Sequence, residues 1–424
     1  MEVIVIQGQS RLQGRVTISG SKNAVLPVLA ACLLTEEECY LEDIPRLVDV
    51  DTMGGVIGEM GCSIYPEGVN GLRINAGSLR SVEPPYEYVR RMRASFLVMG
   101  PLLGRIGRVK ISLPGGCAIG ARPIDLHLKG MAALGASIKV SKGYVEAEAT
   151  RLKGASIYLD YPSVGATENI MMAAALAEGT TVIENAAGEP EIVDLANLIN
   201  NMGGHVTGAG TRVIKIEGVK KLHGARHAVI PDRIEAATFM IAAAATGGDV
   251  FLENVIPPHL KAVMAKLSET GASLQEEDSG IRVRADLPLK AVDIKTMPYP
   301  GFPTDMQAQF MALLTTARGS SVITETVFEN RFMHVNELKR MGANIVIEGH
   351  CAVVKGRKSL SGAKVKATDL RAGAALVIAG LMAEGETVIS CVNHIDRGYE
   401  NIVGKMQALG ANIKRVPALK HAAF

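Results

Sequence analysis

An α/β fold of two domains, each assembled from three copies of one unit, is what this sequence predicts, and three observations carry the prediction. The first is a pentapeptide (apolar residue or Thr, Gly, small residue, any residue, aliphatic residue) that recurs at 60–64, 134–138, 202–206, 270–274, 341–345 and 409–413. Its glycines, Gly61, Gly135, Gly203, Gly271, Gly342 and Gly410, are spaced by 74, 68, 68, 71 and 68 residues. The second is an alternation of patterns in each unit: an Ala/Leu/Met-rich helix, often a glycine, then a β-branched strand. Examples are 170–178, Gly179 and 180–184, and again 372–384, Gly385 and 386–391. The third is size and composition. The 424 residues, 48% hydrophobic and 21% charged, suit a well-packed protein of two or three ordinary domains or two large ones, and not a disordered chain.

Along the chain, residues 1–8 alternate like a strand and lack the basic start of a signal peptide. Each repeated pentapeptide reads as a helix end with a C-terminal glycine, followed directly by a strand. A unit then holds two helices and several strands, roughly βαβαββ. Three units make a domain, so the boundary falls near 230, giving 22–230 and 1–21 plus 231–424, with the N-terminal strand completing the second domain. The apolar runs at 24–34 and 372–383 are too short to span a bilayer and are expected to be buried helices.

The charge balance, 45 basic against 43 acidic residues, predicts no general attraction to nucleic acid or to a membrane surface. Aromatic residues make up 4% and Trp is absent, which further disfavours a base-stacking platform. The six cysteines (Cys32, Cys39, Cys62, Cys117, Cys351, Cys391) form no C-x-x-C pair, and no H-E-x-x-H is present. No zinc site or redox pair is expected, and a reducing cytoplasm is the expected compartment.

The candidate chemistry lies at the helix starts and in three loops. The first helix of each unit opens with polar or charged residues: Lys22 and Asn23, Arg91 and Arg93, Thr167 and Glu168, Asp232 with Arg233 and Glu235, Asp305 with Gln307, and Asp369 with Arg371. Thr167, Asp232 and Asp369 are explained as N-caps or first-turn acids. Cations at a helix start oppose the macrodipole by roughly 0.3–1 kcal/mol, so Lys22 and the trio Arg90, Arg91 and Arg93 point instead to a phosphate or carboxylate ligand. Arg331 and Arg397 sit in loops, where a surface ion pair is the alternative. The segment 112–127 places Cys117 among three glycines, followed by Arg122 and an Asp125-x-His127 pair. Locally, three readings stand: a protonated thiol that donates a proton, an arginine-activated thiolate nucleophile, or an inert buried residue in a turn.

Together, Gly20-Ser21-Lys22-Asn23-Ala24, Met92-Arg93-Ala94-Ser95, Leu113-Pro114-Gly115-Gly116-Cys117 through His127 and Ser163-Val164-Gly165-Ala166-Thr167 resemble the UDP-N-acetylglucosamine enolpyruvyl (1-carboxyvinyl) transferases. So do Pro303-Thr304-Asp305, Phe328-Glu329-Asn330-Arg331-Phe332-Met333-His334 and Ile395-Asp396-Arg397-Gly398-Tyr399-Glu400, so the resemblance runs through essentially the whole chain in order. It implies two inside-out α/β domains of three units around a deep interdomain cleft. It also implies cofactor-free transfer of enolpyruvate from phosphoenolpyruvate to the sugar 3′-hydroxyl, and no metal. By the same resemblance Cys117 is the proton donor and the target of fosfomycin, Asp305 the base, and Arg397 a catalytic phosphate ligand with Lys22, Asn23 and Arg122. Arg331 and Arg371 are the carboxylate partners. Arg93, Arg122, Pro123, Ile124, Asp125, Leu126, Ser163, Val164, Gly165, Asp305 and Val327 hold the UDP-sugar, and Asp369 lies near the reacting centre. One departure is Tyr161-Pro162, where many members carry a basic residue. The sister transferase acting on shikimate 3-phosphate lacks the Pro-Gly-Gly-Cys loop, and a repeat-built nucleic-acid clamp would need a basic stripe.

Overall fold

The computed structural model describes residues 2–114 and 123–418. The six repeated glycines all adopt positive φ, from 90° to 111°, a region that side chains with a Cβ avoid. Each closes the same helix end. The glycine N–H donates to the carbonyl three residues back (Gly342 to Lys339, 3.0 Å), and the next residue donates five back (Ala343 to Leu338, 3.1 Å). This is the Schellman pattern, which satisfies the last carbonyls of the helix and turns the chain into the following strand.

The described chain divides into two compact units: 2–19 with 231–418, and 20–114 with 123–230. Each contains three small sheets, and five of the six mix parallel with antiparallel pairings among the described residues. In one of them Ser156–Tyr158 runs parallel to Thr180–Glu184, which pairs antiparallel with Val213–Glu217, and His205–Thr207 completes the order. The other sheets repeat this scheme with strands borrowed along the chain. Gln13–Thr17 pairs parallel with Asp249–Glu253, and Arg226–Ala228 with Glu38–Glu42. Glu2–Gln7 lies antiparallel between Glu386–Ser390 and Asn412–Pro417. The sheet of Arg108–Ser112, Ser137–Ser141 and Tyr144–Glu148 has only three described strands, with Lys110 N–H donating to the Val82 carbonyl (3.1 Å) where the fourth would lie.

Central helices that are buried on nearly every face pack in the middle of each unit, with the sheets laid against them. Arg233–Ala245 is buried from Ile234 onward, Gln307–Leu314 at every position, and Leu370–Met382 from Arg371 to Leu381. These three pack on one another. In the other unit Met99–Ile106 packs against Val164–Ala174 so closely that a Cβ at Gly100 would lie 2.3 Å from the Asn169 carbonyl oxygen. At the starts of the central helices of the 231–418 unit, Asp305 and Asp369 both bond to Arg371, and Asp232 caps Arg233–Ala245.

Two sequence expectations are corrected. Arg90 and Arg91 lie in the last turn of the short helix Tyr86–Arg91, where cations favour the macrodipole, and only Arg93 opens a helical segment, the 3-10 turn Arg93–Val98. The break falls at buried Met92, whose backbone is extended (φ −137°, ψ 113°). Thr167 is not a cap either. Ser163 caps Val164–Ala174, and the Thr167 hydroxyl, one turn in, donates to the Ser163 carbonyl (2.8 Å) and accepts from Ala187 N–H (3.1 Å).

Candidate active site

In the unit of 231–418 the centre is Asp305, on the 3-10 turn Thr304–Met306 that leads into the Gln307 helix. One carboxylate oxygen accepts from Arg331 Nη2 (2.6 Å) and the other from Arg371 Nε (3.1 Å) and Nη2 (3.0 Å). The two arginine side chains are 6% and 3% exposed and Asp305 is 25% exposed, so the carboxylate is the accessible tip of a buried cationic pair. Such pairing is required at this depth, since an isolated buried guanidinium would lose its hydration without compensation. Arg371 also lies over the Tyr399 ring at 5.4 Å, and the Tyr399 hydroxyl bonds to Thr238 (3.0 Å) and Gln309 (3.1 Å).

Asp369 is the N-cap of Leu370–Met382. Its Oδ1 accepts from the Arg371 and Ala372 N–H groups (2.8 and 3.0 Å), which fixes the helix end from which Arg371 projects. Arg397 closes the 3-10 turn Val392–Arg397. His394 feels both neighbours: burial and then Arg397 lower its pKa, while Asp369 opposes them. His334 is fully enclosed, with Nε2 3.2 Å from Met311 Sδ, and burial pushes its pKa down to about 4 against the field of Asp369. Val327 follows the strand Ser320–Thr324, and its N–H donates to Glu325 Oε1 (2.8 Å).

In the unit of 20–230, Lys22 and Asn23 open the helix capped by Ser21, whose Oγ accepts from Ala24 N–H (3.3 Å). Lys22 Nζ lies 3.0 Å from Asp49 Oδ2, an acid that offsets the unfavourable helix position of the lysine. A second group joins three elements. Arg93 Nη2 donates to the Pro123 carbonyl (3.2 Å), and Ile124 precedes the helix Asp125–Ala133, which has Asp125 in its first turn. His127 on that helix meets Phe96 edge to face at 5.2 Å, and it stands so near Gly165 that a Cβ there would come within 3.3 Å of its ring. Asn169 Nδ2 donates to His127 Nδ1 (3.0 Å) and to the Phe96 carbonyl (3.0 Å), so the neutral ring carries its proton on Nε2. Burial, aided by Arg93, pushes the His127 pKa down to about 3. Ser163 and Val164 begin the neighbouring helix, and Ile124, Leu126 and Val164 pack half-buried against the core.

The expected site residues thus form clusters within the units: Asp305 with Arg331 and Arg371, Asp369 and Arg397 around His394, and Arg93 with Pro123 and the 125 and 164 helix starts. Cys117 and Arg122 lie outside the described residues. Sequence reasoning missed Asp49, Asn169, Thr304 and Glu325, because an acid or amide inside an apolar helix or after a strand carries no local signal of its partner. His127 was visible in the Asp-x-His pair, but its link to Asn169 was not.

The sequence matches the family described as EPSP synthase (3-phosphoshikimate 1-carboxyvinyltransferase) over residues 6–406. It is 62% identical to UDP-N-acetylglucosamine 1-carboxyvinyltransferase 1 of Caldanaerobacter subterraneus subsp. tengcongensis, covering 97% of this chain and 99% of that one. It is also 62% identical to UDP-N-acetylglucosamine 1-carboxyvinyltransferase 2 of Carboxydothermus hydrogenoformans, covering 98% and 100%. Among solved structures, the enolpyruvyl transferase NikO of Streptomyces tendae superposes with a TM-score of 0.88 at 25% identity, covering 98% of this chain and 99% of that one. EPSP synthase of Acinetobacter baumannii shares the fold, with a TM-score of 0.78 at 20% identity and coverage of 98% and 100%.

Proposed function

The chain belongs to the EPSP synthase (3-phosphoshikimate 1-carboxyvinyltransferase) family, and from that membership we infer its reaction: transfer of the enolpyruvyl group of phosphoenolpyruvate to the 3′-hydroxyl of UDP-N-acetylglucosamine, with release of phosphate. This is the first committed step of peptidoglycan synthesis. The observation that carries the choice of acceptor is the 58–62% identity, over nearly the whole chain, to enzymes named for UDP-N-acetylglucosamine. We place the reaction in the cytoplasm, the compartment expected from the cysteine content; no helix among the described residues is long and apolar enough to cross a membrane.

The chemistry adds the sugar oxygen to C2 of phosphoenolpyruvate while C3 gains a proton. Phosphate then leaves as a proton is lost from C3, so atoms and charge balance without a redox partner. We assign Asp305 to remove the hydroxyl proton and Cys117 to supply the proton at C3. Arg331 and Arg371 suit the substrate carboxylate: they are fixed, buried and already matched to a carboxylate in Asp305. A substrate carboxylate taking over those donors leaves Asp305 available to the sugar hydroxyl. Lys22, Asn23, Arg122 and Arg397 are assigned to the phosphate, and Arg93, Arg122, the 123–126 segment, the 163–165 helix start, Asp305 and Val327 to the UDP-sugar. Asp369 holds the Arg371 helix start.

The test is phosphate release from phosphoenolpyruvate with and without UDP-N-acetylglucosamine. Sugar-dependent release is expected, and its absence overturns the reading. Cys117→Ser is expected to abolish turnover, and fosfomycin to modify the native thiol alone. Unchanged kinetics in that variant would remove Cys117 from the mechanism.

A further inference from the structure

Glu325 is buried, 1% exposed, one residue beyond the strand Ser320–Thr324, and its carboxylate is engaged on both oxygens. Oε1 accepts from the Val327 N–H (2.8 Å), the Phe328 N–H (3.3 Å) and the Thr296 hydroxyl (2.7 Å). Oε2 accepts from the Thr304 hydroxyl (2.9 Å). Having donated its proton to Glu325, the Thr304 oxygen is an acceptor toward the other side, where Arg331 Nη1 donates to it at 2.9 Å. The second nitrogen of the same guanidinium holds Asp305 at 2.6 Å.

A hydroxyl has one proton, so its direction is set by the strongest acceptor beside it. The hydrogen bond to the Glu325 carboxylate directs the Thr304 proton toward Glu325 and turns a lone pair to Arg331. A guanidinium is a planar fork, so fixing Nη1 also fixes where Nη2 points. The Val327–Phe328 turn hangs on the other oxygen of the same carboxylate.

We propose that Glu325 is a positioning residue for the transfer reaction: through Thr304 it orients Arg331 against Asp305, and through the Val327 and Phe328 amides it sets the turn that meets the nucleotide sugar. The proposal rests on the reading of Arg331, Asp305 and Val327 given above. Its two arms are separable. Thr304 serves only the Arg331 arm, whereas Glu325 serves both. A carboxylate that merely tied off a turn would need neither the Thr304 relay nor any effect on phosphoenolpyruvate.

The experiment is steady-state kinetics in both substrates, with the thermal midpoint recorded for each variant. Thr304→Val is expected to raise KM for phosphoenolpyruvate about 10- to 100-fold, the usual effect of a lost hydrogen bond to a charged group, and to leave KM for UDP-N-acetylglucosamine within about threefold. Thr304→Ser restores the hydroxyl and with it KM for phosphoenolpyruvate. Glu325→Ala removes both acceptor oxygens and raises both KM values. In Glu325→Gln the amide oxygen stays with the Val327 and Phe328 N–H groups and the nitrogen donates toward Thr304 where an acceptor is needed, so KM for phosphoenolpyruvate alone rises. Variants that lose only active fraction, with lower kcat and both KM values unchanged, overturn the proposal, as does a Thr304→Val enzyme with native KM. Asp305→Ala and Arg331→Ala separate the two levels. If they collapse activity while the Thr304 and Glu325 variants behave as native, the positioning role alone is wrong. If Asp305→Ala turns over normally, the site reading fails and takes the positioning role with it.

Discussion

His127 and His334 are each buried in a unit's interior, and among the described residues neither ring has an acid hydrogen-bonded to it. Their folded-state pKa values, about 3 and about 4, lie below the ordinary histidine value of 6.5 because burial disfavours the imidazolium. A depressed histidine binds its proton in the unfolded chain first. Stability from this source is therefore complete above about pH 6.5 and is lost as pH falls, through about 4 for His334 and about 3 for His127. At pH 5 the loss is on the order of 2 kcal/mol per ring. Burial raises the pKa of Glu168 and Glu235, and these carboxyls act in the opposite sense over the same range, so the measurement is a comparison. His127→Gln and His334→Gln are each expected to make the change in urea midpoint from pH 7 to pH 5 less destabilising than in the native chain. A native-sized change in both variants contradicts the assignment. Cations were legible residue by residue at Lys22, Arg331 and Arg371, but their counter-ions Asp49 and Asp305 lie 27, 26 and 66 residues away, and only folding pairs them.

At the scale of elements, the six glycine-closed helix ends were readable because one backbone conformation demands one residue type. Their energetic cost is not uniform. A Cβ on Gly342 meets nothing within 4 Å, so Gly342→Ala suffers backbone strain alone, about 1–2 kcal/mol. A Cβ on Gly61 meets the Ser78 carbonyl oxygen at 2.6 Å, and Gly61→Ala is expected to cost distinctly more. Equal shifts of the denaturation midpoint in the two variants would contradict this. The element least readable was the broken segment from Tyr86 to Ile106, where a single helix pattern conceals an extended Met92. Helix propensity cannot register such a break, since it is set by what the buried side chain packs against.

At the scale of the molecule, the N-terminal strand Glu2–Gln7 is the inner strand of a sheet whose other members come from 364–417. Val3, Ile4, Val5 and Ile6 are all buried, and removing them forfeits roughly 6–12 kcal/mol of apolar burial, comparable to the ~5–15 kcal/mol that holds a whole domain folded. Deleting 2–7 should open the 231–418 unit to limited proteolysis while 20–230 stays protected. Equal protection of both units in the truncated chain would show that the strand is dispensable.

The amino-acid sequence by itself determined the α/β class, the six-fold repeat, the helix ends and the residue types able to bind an anionic substrate, because these depend on backbone preference and periodicity over a few residues. Tertiary structure alone decided which charges meet. That Asp305 joins Arg331 to Arg371, that Glu325 reaches Arg331 through Thr304, and that Asn169 sets the His127 tautomer depend on central helices and loops brought together from distant parts of the chain. A buried polar group must find its partner wherever packing places one, and no local pattern encodes that distance.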